Sequence, residues 1–262
     1  MDQPAATLAS DHPYRAELER QAATWQRKGS VRELYRYWFK TIEQQLAPDD
    51  PVVELGCGCG AFRDFLKQHG RKCIGTDALP TPWCDQVADA RKLPFENSSV
   101  GNLVAMDVLH HIPDPLTPLK EAARVLRPGG RMIFFEPFGS FFGQWVYRRL
   151  HHEPFYWNYD VLNPPVFTGK EGEFANDAIP GILFLRQASN WGAHVPGLRA
   201  VSCRTLTGMS YLLVGGFSYP GIIPAFAVRG CSKLEDAFLK TFLGRLFALR
   251  IMVVLEKPAV SK

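Results

Sequence analysis

The segment 52–62, VVELGCGCGAF, constrains this chain more than any other. A short apolar run carries an acid, Glu54, and then breaks at Gly56, Gly58 and Gly60 before AFRDFLKQ, whose apolar residues have helical spacing. Glycines allow a sharp turn and a close approach of ligand to backbone, and the amides that open the following helix carry partial positive charge. Strand, glycine turn and helix in this order predict the start of an open α/β sheet, with an anionic or zwitterionic ligand at the turn.

The rest of the chain fits one elaborated α/β domain. At 262 residues and 46% hydrophobic content it can bury a large core. The net charge of +4 is modest and the basic residues are scattered, so no nucleic-acid partner is expected. Cysteines at 57, 59, 73, 84, 203 and 231 form no CxxC pair and read as reduced thiols. The opening MDQPAATLASDHPYRAELER is polar, without a secretory leader, which makes a cytoplasmic placement the expectation.

Helical spacing is expected over 14–28 and 31–46, with Ser30 and Glu33 as a capping box that starts the second helix. Strands are expected over 52–55, 71–76, 86–88, 101–106, 130–136, 200–206 and 248–256. Helices are expected over 61–68, 116–125 and 177–189, and another opens at Ser232, where Ser232 and Glu235 repeat the capping-box pattern. Strands alternating with helices predict a parallel, doubly wound sheet. The division expected is a helical cap over 1–50 and a main body over 51–262, with a substrate insert at about 137–196 and an apolar insert at about 205–247.

Two ligands suit the glycine turn. Gly56-x-Gly58-x-x-Ala61, with Asp77 about twenty residues on, fits a dinucleotide fingerprint and would make the chain an NAD-linked oxidoreductase. A second reading uses more residues: Glu54-x-Gly56-x-Gly58-x-Gly60, Asp77, Asp89-Ala90, VLHHIPDP and LRPGGRMIFFE, in that order. As an ordered set over about 51–136 they give a chain that resembles the class I S-adenosylmethionine-dependent methyltransferases, in the small-molecule, type 11-like group. The resemblance implies a Rossmann-like, mostly parallel seven-stranded sheet with an antiparallel C-terminal strand. It also implies S-adenosylmethionine as cofactor. Glu54 and the turn from Gly56 through Cys57 and Gly58 to Gly60 would hold its methionine part, and Asp77 with Ala78 its ribose. Asp89 and Ala90 would take the adenine, and Met106 and Asp107 would border the sulfonium.

Methyl transfer from a sulfonium needs mostly alignment and exclusion of water, with a base where the acceptor must lose a proton. The candidates for that base are His110 and His111, then His151 and His152 beside Glu153. His111 also suits a structural bond to the Pro113-Asp114 turn, and Glu136 either faces the acceptor or caps a turn. Cys57 and Cys59 read as small side chains in a tight bend, and no metal is expected.

The rings between Phe138 and Tyr159 suit either an apolar acceptor pocket or core. The 205–228 run carries no charge, yet Gly215-Gly216, Pro220 and Pro224 break any spanning helix. It is expected either to bury against the sheet or, with Arg229, Lys233, Trp145, Arg148 and Arg149, to dip into the inner face of a membrane. The expected activity is methyl transfer to a small-molecule or lipid-linked acceptor, at oxygen. The alternative is a catalytically silent cofactor-binding regulator or scaffold.

Overall fold

Every strand of the sheet except the last in sequence runs in one direction. The computed structural model describes residues 13–48, 50–151, 153–169, 173–206 and 208–259. Helices α1 (Pro13–Arg27) and α2 (Gly29–Glu43) precede β1 (Val52–Leu55), α3 (Ala61–Gln68), β2 (Cys73–Asp77) and β3 (Gln86–Val87). β4 (Val100–Met106), α4 (Leu116–Val125), β5 (Leu126–Pro137) and α5 (Phe141–Leu150) follow. A short α6 (Ile179–Gly181) and α7 (Trp191–His194) lead to β6 (Arg199–Leu206), α8 (Met209–Val214), α9 (Ala225–Leu239), α10 (Phe242–Arg245) and β7 (Arg250–Glu256). The seven strands lie in the order β3-β2-β1-β4-β5-β7-β6, and β7 is antiparallel to both its neighbours. This is the sheet implied by the resemblance.

Both faces of the inner part of the sheet are covered, which the sequences of β1, β4 and β7 require because their burial is nearly continuous. Along β7, Ile251, Val253 and Leu255 join Leu103, Phe134, α4 and the segment 178–184 on one side. Met252 and Val254 join Val104, Phe135, α2 and α3 on the other. Helix α2 presents Val31, Leu34, Trp38, Phe39 and Ile42 to that second core, a stripe at three- and four-residue spacing. Burying an aliphatic or Phe side chain of this kind stabilises by about 1.5–3 kcal/mol, so this stripe fixes α2 against the sheet.

Several local expectations change. Helix α2 starts at Gly29 with Lys28 as N-cap and no side-chain cap bond, so Ser30 is inside the helix and Glu33 pairs with Arg36 instead. Helix α9 starts at Ala225, which places Ser232 in its buried interior. Glu235 instead accepts the amides of Gly208 and Ser210, at 2.8 and 3.1 Å, and ties α9 to α8. Over 177–189 the chain forms α6 and a π-helical turn, Ile182–Arg186, because Pro180 and Gly181 interrupt a regular helix. The uncharged 205–228 run is divided among the end of β6, α8 and the start of α9, with Val214 and Val228 buried and Ile222 and Phe226 exposed. No helix among the described residues is long and apolar enough to cross a membrane.

Candidate active site

The glycine turn at the carboxyl end of β1 is left-handed three times: φ is +66° at Gly56, +53° at Gly58 and +74° at Gly60. A Cβ on Gly56 would lie 2.5 Å from Val108 Cγ2, so the loop after β4 closes directly on the turn. Glu54, buried in β1, accepts the Arg63 amide at Oε2, 3.1 Å away. It thereby locks the turn to the first turn of α3. Burial pushes its acid up to about 8, partly offset by that amide and the Arg63 charge. Cys57 donates its amide to the Thr76 carbonyl at 2.8 Å, and burial pushes the Cys57 and Cys59 thiols up.

Asp77 ends β2 with 3% exposure. Its Oδ1 accepts the Leu79 amide at 3.2 Å and its Oδ2 the Tyr14 hydroxyl at 3.0 Å. Burial raises its pKa, opposed by the amides and the hydroxyl. Tyr14 comes from α1, as does Leu18, whose Cδ2 would lie 3.8 Å from a Cβ on Gly58. One helix thus roofs the turn and places a hydroxyl on the acid. These features fit S-adenosylmethionine: the glycines keep side chains out of the turn, and Asp77 is shown accepting a hydroxyl, the group a ribose presents. Asp89 is held by Arg91, whose guanidinium makes bonds of 2.7–3.0 Å to both oxygens, with Ala90 buried and Ala78 exposed.

At the carboxyl end of β4, Met106 is half-buried and Asp107 adopts φ +57°. Asp107 pairs with Arg250, which lies buried at the start of β7. The Arg250 guanidinium sits 5.3 Å from the Trp38 and Tyr211 ring centres and 5.7 Å from Phe135. Burial alone would lower its pKa, but Asp107 holds it charged.

The histidines after β4 meet the insert. His110, 2% exposed, bonds Glu136 Oε2 through Nδ1 at 2.7 Å and lies 3.2 Å from Glu153 Oε2 through Nε2. Burial opposes its protonation, and the two carboxylates outweigh burial and raise its pKa well above the usual value. Glu136 Oε1 also accepts the amides of Val108 and Leu109, both at 2.9 Å. The acid at the end of β5 therefore both caps a turn and positions His110. His111 is different: its Nδ1 faces the Phe174 carbonyl at 3.1 Å, and its side chain is 39% exposed. Burial of the ring and the charge of His110 lower its pKa. The Pro113 carbonyl is taken by the Tyr159 hydroxyl at 2.8 Å, not by His111. His151 Nδ1 lies 3.1 Å from Asp177 Oδ2, while His152 is outside the described residues.

Three of these groups had no motif to announce them. Tyr14 lies in a polar stretch with no local pattern. Arg250, a charge opening the apolar run RIMVVLE, and Asp177, an acid before the apolar AIPGILF, each carried a signal of buried polarity.

Residues 53–134 match the family described as "Methyltransferase domain". The chain is similar to the tocopherol O-methyltransferase of Arabidopsis thaliana, 31% identical over 120 residues, which are 39% of this chain and 34% of that one. It is also similar to a ubiquinone biosynthesis O-methyltransferase of Coxiella burnetii, 28% identical over 112 residues, 37% of this chain and 47% of that one. Thus it spans less than half the length of either relative. A SAM-dependent methyltransferase from Archaeoglobus fulgidus has the same fold, with TM-score 0.52 and 14% identity over 86% of this chain and 94% of that one. These matches set aside the dinucleotide reading of Gly56, Gly58 and Ala61. Residues 53–134 thus match the methyltransferase-domain family, within a chain that has the fold of the class I methyltransferases.

Proposed function

We propose that the chain transfers a methyl group from S-adenosylmethionine to the oxygen of a small, apolar, ring-bearing acceptor that it takes from an anionic membrane surface. The observation that carries the membrane part is an exposed apolar face. Phe141 and Trp145 of α5, Phe242 and Leu243 of α10 and Phe238 near the end of α9 all stand exposed. The three helices are joined through Phe247, which stacks on Phe142 at 4.1 Å and packs on Phe238 at 5.9 Å. Arg148 and Arg149 share a hollow with Phe141 and Trp145, and Lys240 and Arg245 stand at the ends of α9 and α10. Aromatic rings beside cations suit the boundary of an anionic bilayer. The relatives named for tocopherol and ubiquinone support an acceptor of lipid-soluble, hydroxyl-bearing type.

The cofactor supplies an activated methyl on its sulfonium. The chain's residues would bind and orient it: Glu54 and the glycine turn would hold its methionine part, Asp77 its ribose hydroxyls, and Asp89 and Ala90 its adenine. Met106 and Asp107 border the sulfonium. Helix α1, with Tyr14 and Leu18, acts as a cap that excludes water. The base is assigned to His111. A carbonyl can only accept, so its Nδ1 donates to Phe174 and Nε2 carries the lone pair. His110, enclosed between carboxylates, is assigned a positioning role.

The test pairs methyl-labelled S-adenosylmethionine with a membrane-lipid extract and reads labelled products by mass spectrometry, alongside flotation with anionic liposomes. Expected are one labelled apolar product and flotation at low salt that Phe141→Asp with Phe242→Asp abolishes. Labelling only of polar metabolites, by a protein that stays in the soluble fraction, would refute the membrane-borne acceptor. Cofactor binding without any labelled product would favour a silent binding protein.

A further inference from the structure

We propose that His110, His151, Glu153 and Asp177 form a binding site for one divalent transition-metal ion of the zinc class, with Glu136 positioning His110. Three of the four ligand atoms already lie together, and the fourth, on His110, adjoins two of them. His151, Glu153 and Asp177 each bring a nitrogen or carboxylate oxygen within 4.8 Å of the others. His110 Nε2 lies 3.2 Å from Glu153 Oε2 and 3.8 Å from Asp177 Oδ1. His151 Nδ1 lies 3.1 Å from Asp177 Oδ2 and 3.9 Å from Glu153 Oε2. A tetrahedral ion with bonds of about 2.0–2.1 Å needs ligand atoms roughly 3.4 Å apart, and two imidazoles with two carboxylates are a donor set that zinc accepts.

Asp177 supplies an independent observation. It is 0% exposed, and among the described residues neither of its carboxylate oxygens accepts a hydrogen bond. A buried carboxylate without hydrogen-bond donors is costlier than a neutral group so placed. A proton on His110 Nε2 would serve Glu153, at 3.2 Å, rather than Asp177, at 3.8 Å, whose other neighbour is the His151 imidazole at 3.1 Å. A cation among the four side chains satisfies Asp177, Glu153 and both imidazoles together. The outer contacts agree. Glu136, itself fixed by two amides, holds His110 Nδ1 at 2.7 Å, the carboxylate–histidine arrangement that orients the other nitrogen toward a metal.

The ligands come from the turn after β4 and from two separated parts of the insert, 151–153 and 177. An ion there staples the insert to the carboxyl ends of the strands. The site would hold its ion whichever acceptor is methylated.

The full chain, stripped with a chelator and dialysed, is titrated with Zn2+ alone while its melting temperature is followed, and with Co2+ while its visible spectrum is followed. Expected is saturable binding of one ion per chain, a rise in melting temperature with Zn2+, and a tetrahedral Co2+ band without the near-ultraviolet thiolate band that Cys57 and Cys59 would give. Asp177→Asn and His151→Ala should abolish both responses, and Glu136→Gln should weaken affinity by roughly 10–100-fold. Asp177→Asn keeps the side-chain shape, and its circular dichroism reports whether it folds. No saturable binding by the wild-type chain, equal binding by the folded Asp177→Asn chain, or a thiolate band would each overturn the proposal.

Discussion

Tyr14 holds the carboxylate proposed to take the cofactor's ribose. Its hydroxyl sits 3.0 Å from Asp77 Oδ2, and that carboxylate is 3% exposed, so water does not readily replace it. A ribose hydroxyl reaching the same oxygen must first displace the phenol. A hydrogen bond to a charged group contributes about 1.5–3 kcal/mol. In Tyr14→Phe the ring and its packing remain, Oδ1 keeps the Leu79 amide, the unliganded Oδ2 loses its hydroxyl donor, and the incoming ribose supplies one. Affinity for S-adenosylmethionine should therefore rise roughly tenfold or more. Titration calorimetry with S-adenosylmethionine and with its demethylated product measures this, in wild type, Tyr14→Phe, Asp77→Asn and the double variant. Asp77→Asn should bind more weakly, and in that background the loss of the phenol should change little. Equal or weaker binding by Tyr14→Phe would refute the competition, and so would the same gain in the Asp77→Asn background.

Glu54 gives a pH dependence. Its pKa is raised to about 8 in the folded chain, so its contribution to stability is fully present below its unfolded value, given as 4.5, and is lost as pH rises through 8. Urea midpoints should show a loss of about 2 kcal/mol between pH 6 and pH 8 in wild type that Glu54→Gln removes; parallel profiles would exclude it. Gly56→Ala combines a left-handed φ of +66° with a Cβ only 2.5 Å from Val108, and should cost more than the roughly 1–2 kcal/mol of backbone strain alone. A Gly56→Ala melting temperature equal to wild type would contradict that geometry. His111→Ala should lower turnover by roughly two to four decades with cofactor affinity nearly unchanged. A variant with wild-type turnover would remove His111 from proton transfer.

The sequence alone determined the elements whose pattern is local. Alternation of apolar strands with helices, and glycines 56, 58 and 60 after an apolar run, specify β1, its turn and α3, because backbone conformation there depends on the residues themselves. The acids Asp77 and Asp89 were legible for the same reason, standing at strand ends in a recognisable order. Both capping boxes failed because tertiary packing extended the helices past the local stop signals: α9 begins at Ala225, and Glu235 was drawn to the amides of α8. Only the tertiary structure decided the pairings between distant segments. Tyr14 reaches Asp77 across 63 residues, Arg250 reaches Asp107 across 143, and Glu136 reaches His110 from the neighbouring strand. Such pairs leave no periodicity to read, since nothing local requires a particular partner. They form because burial leaves a charged group no water to turn to, and whichever polar group the sheet order brings alongside becomes its partner.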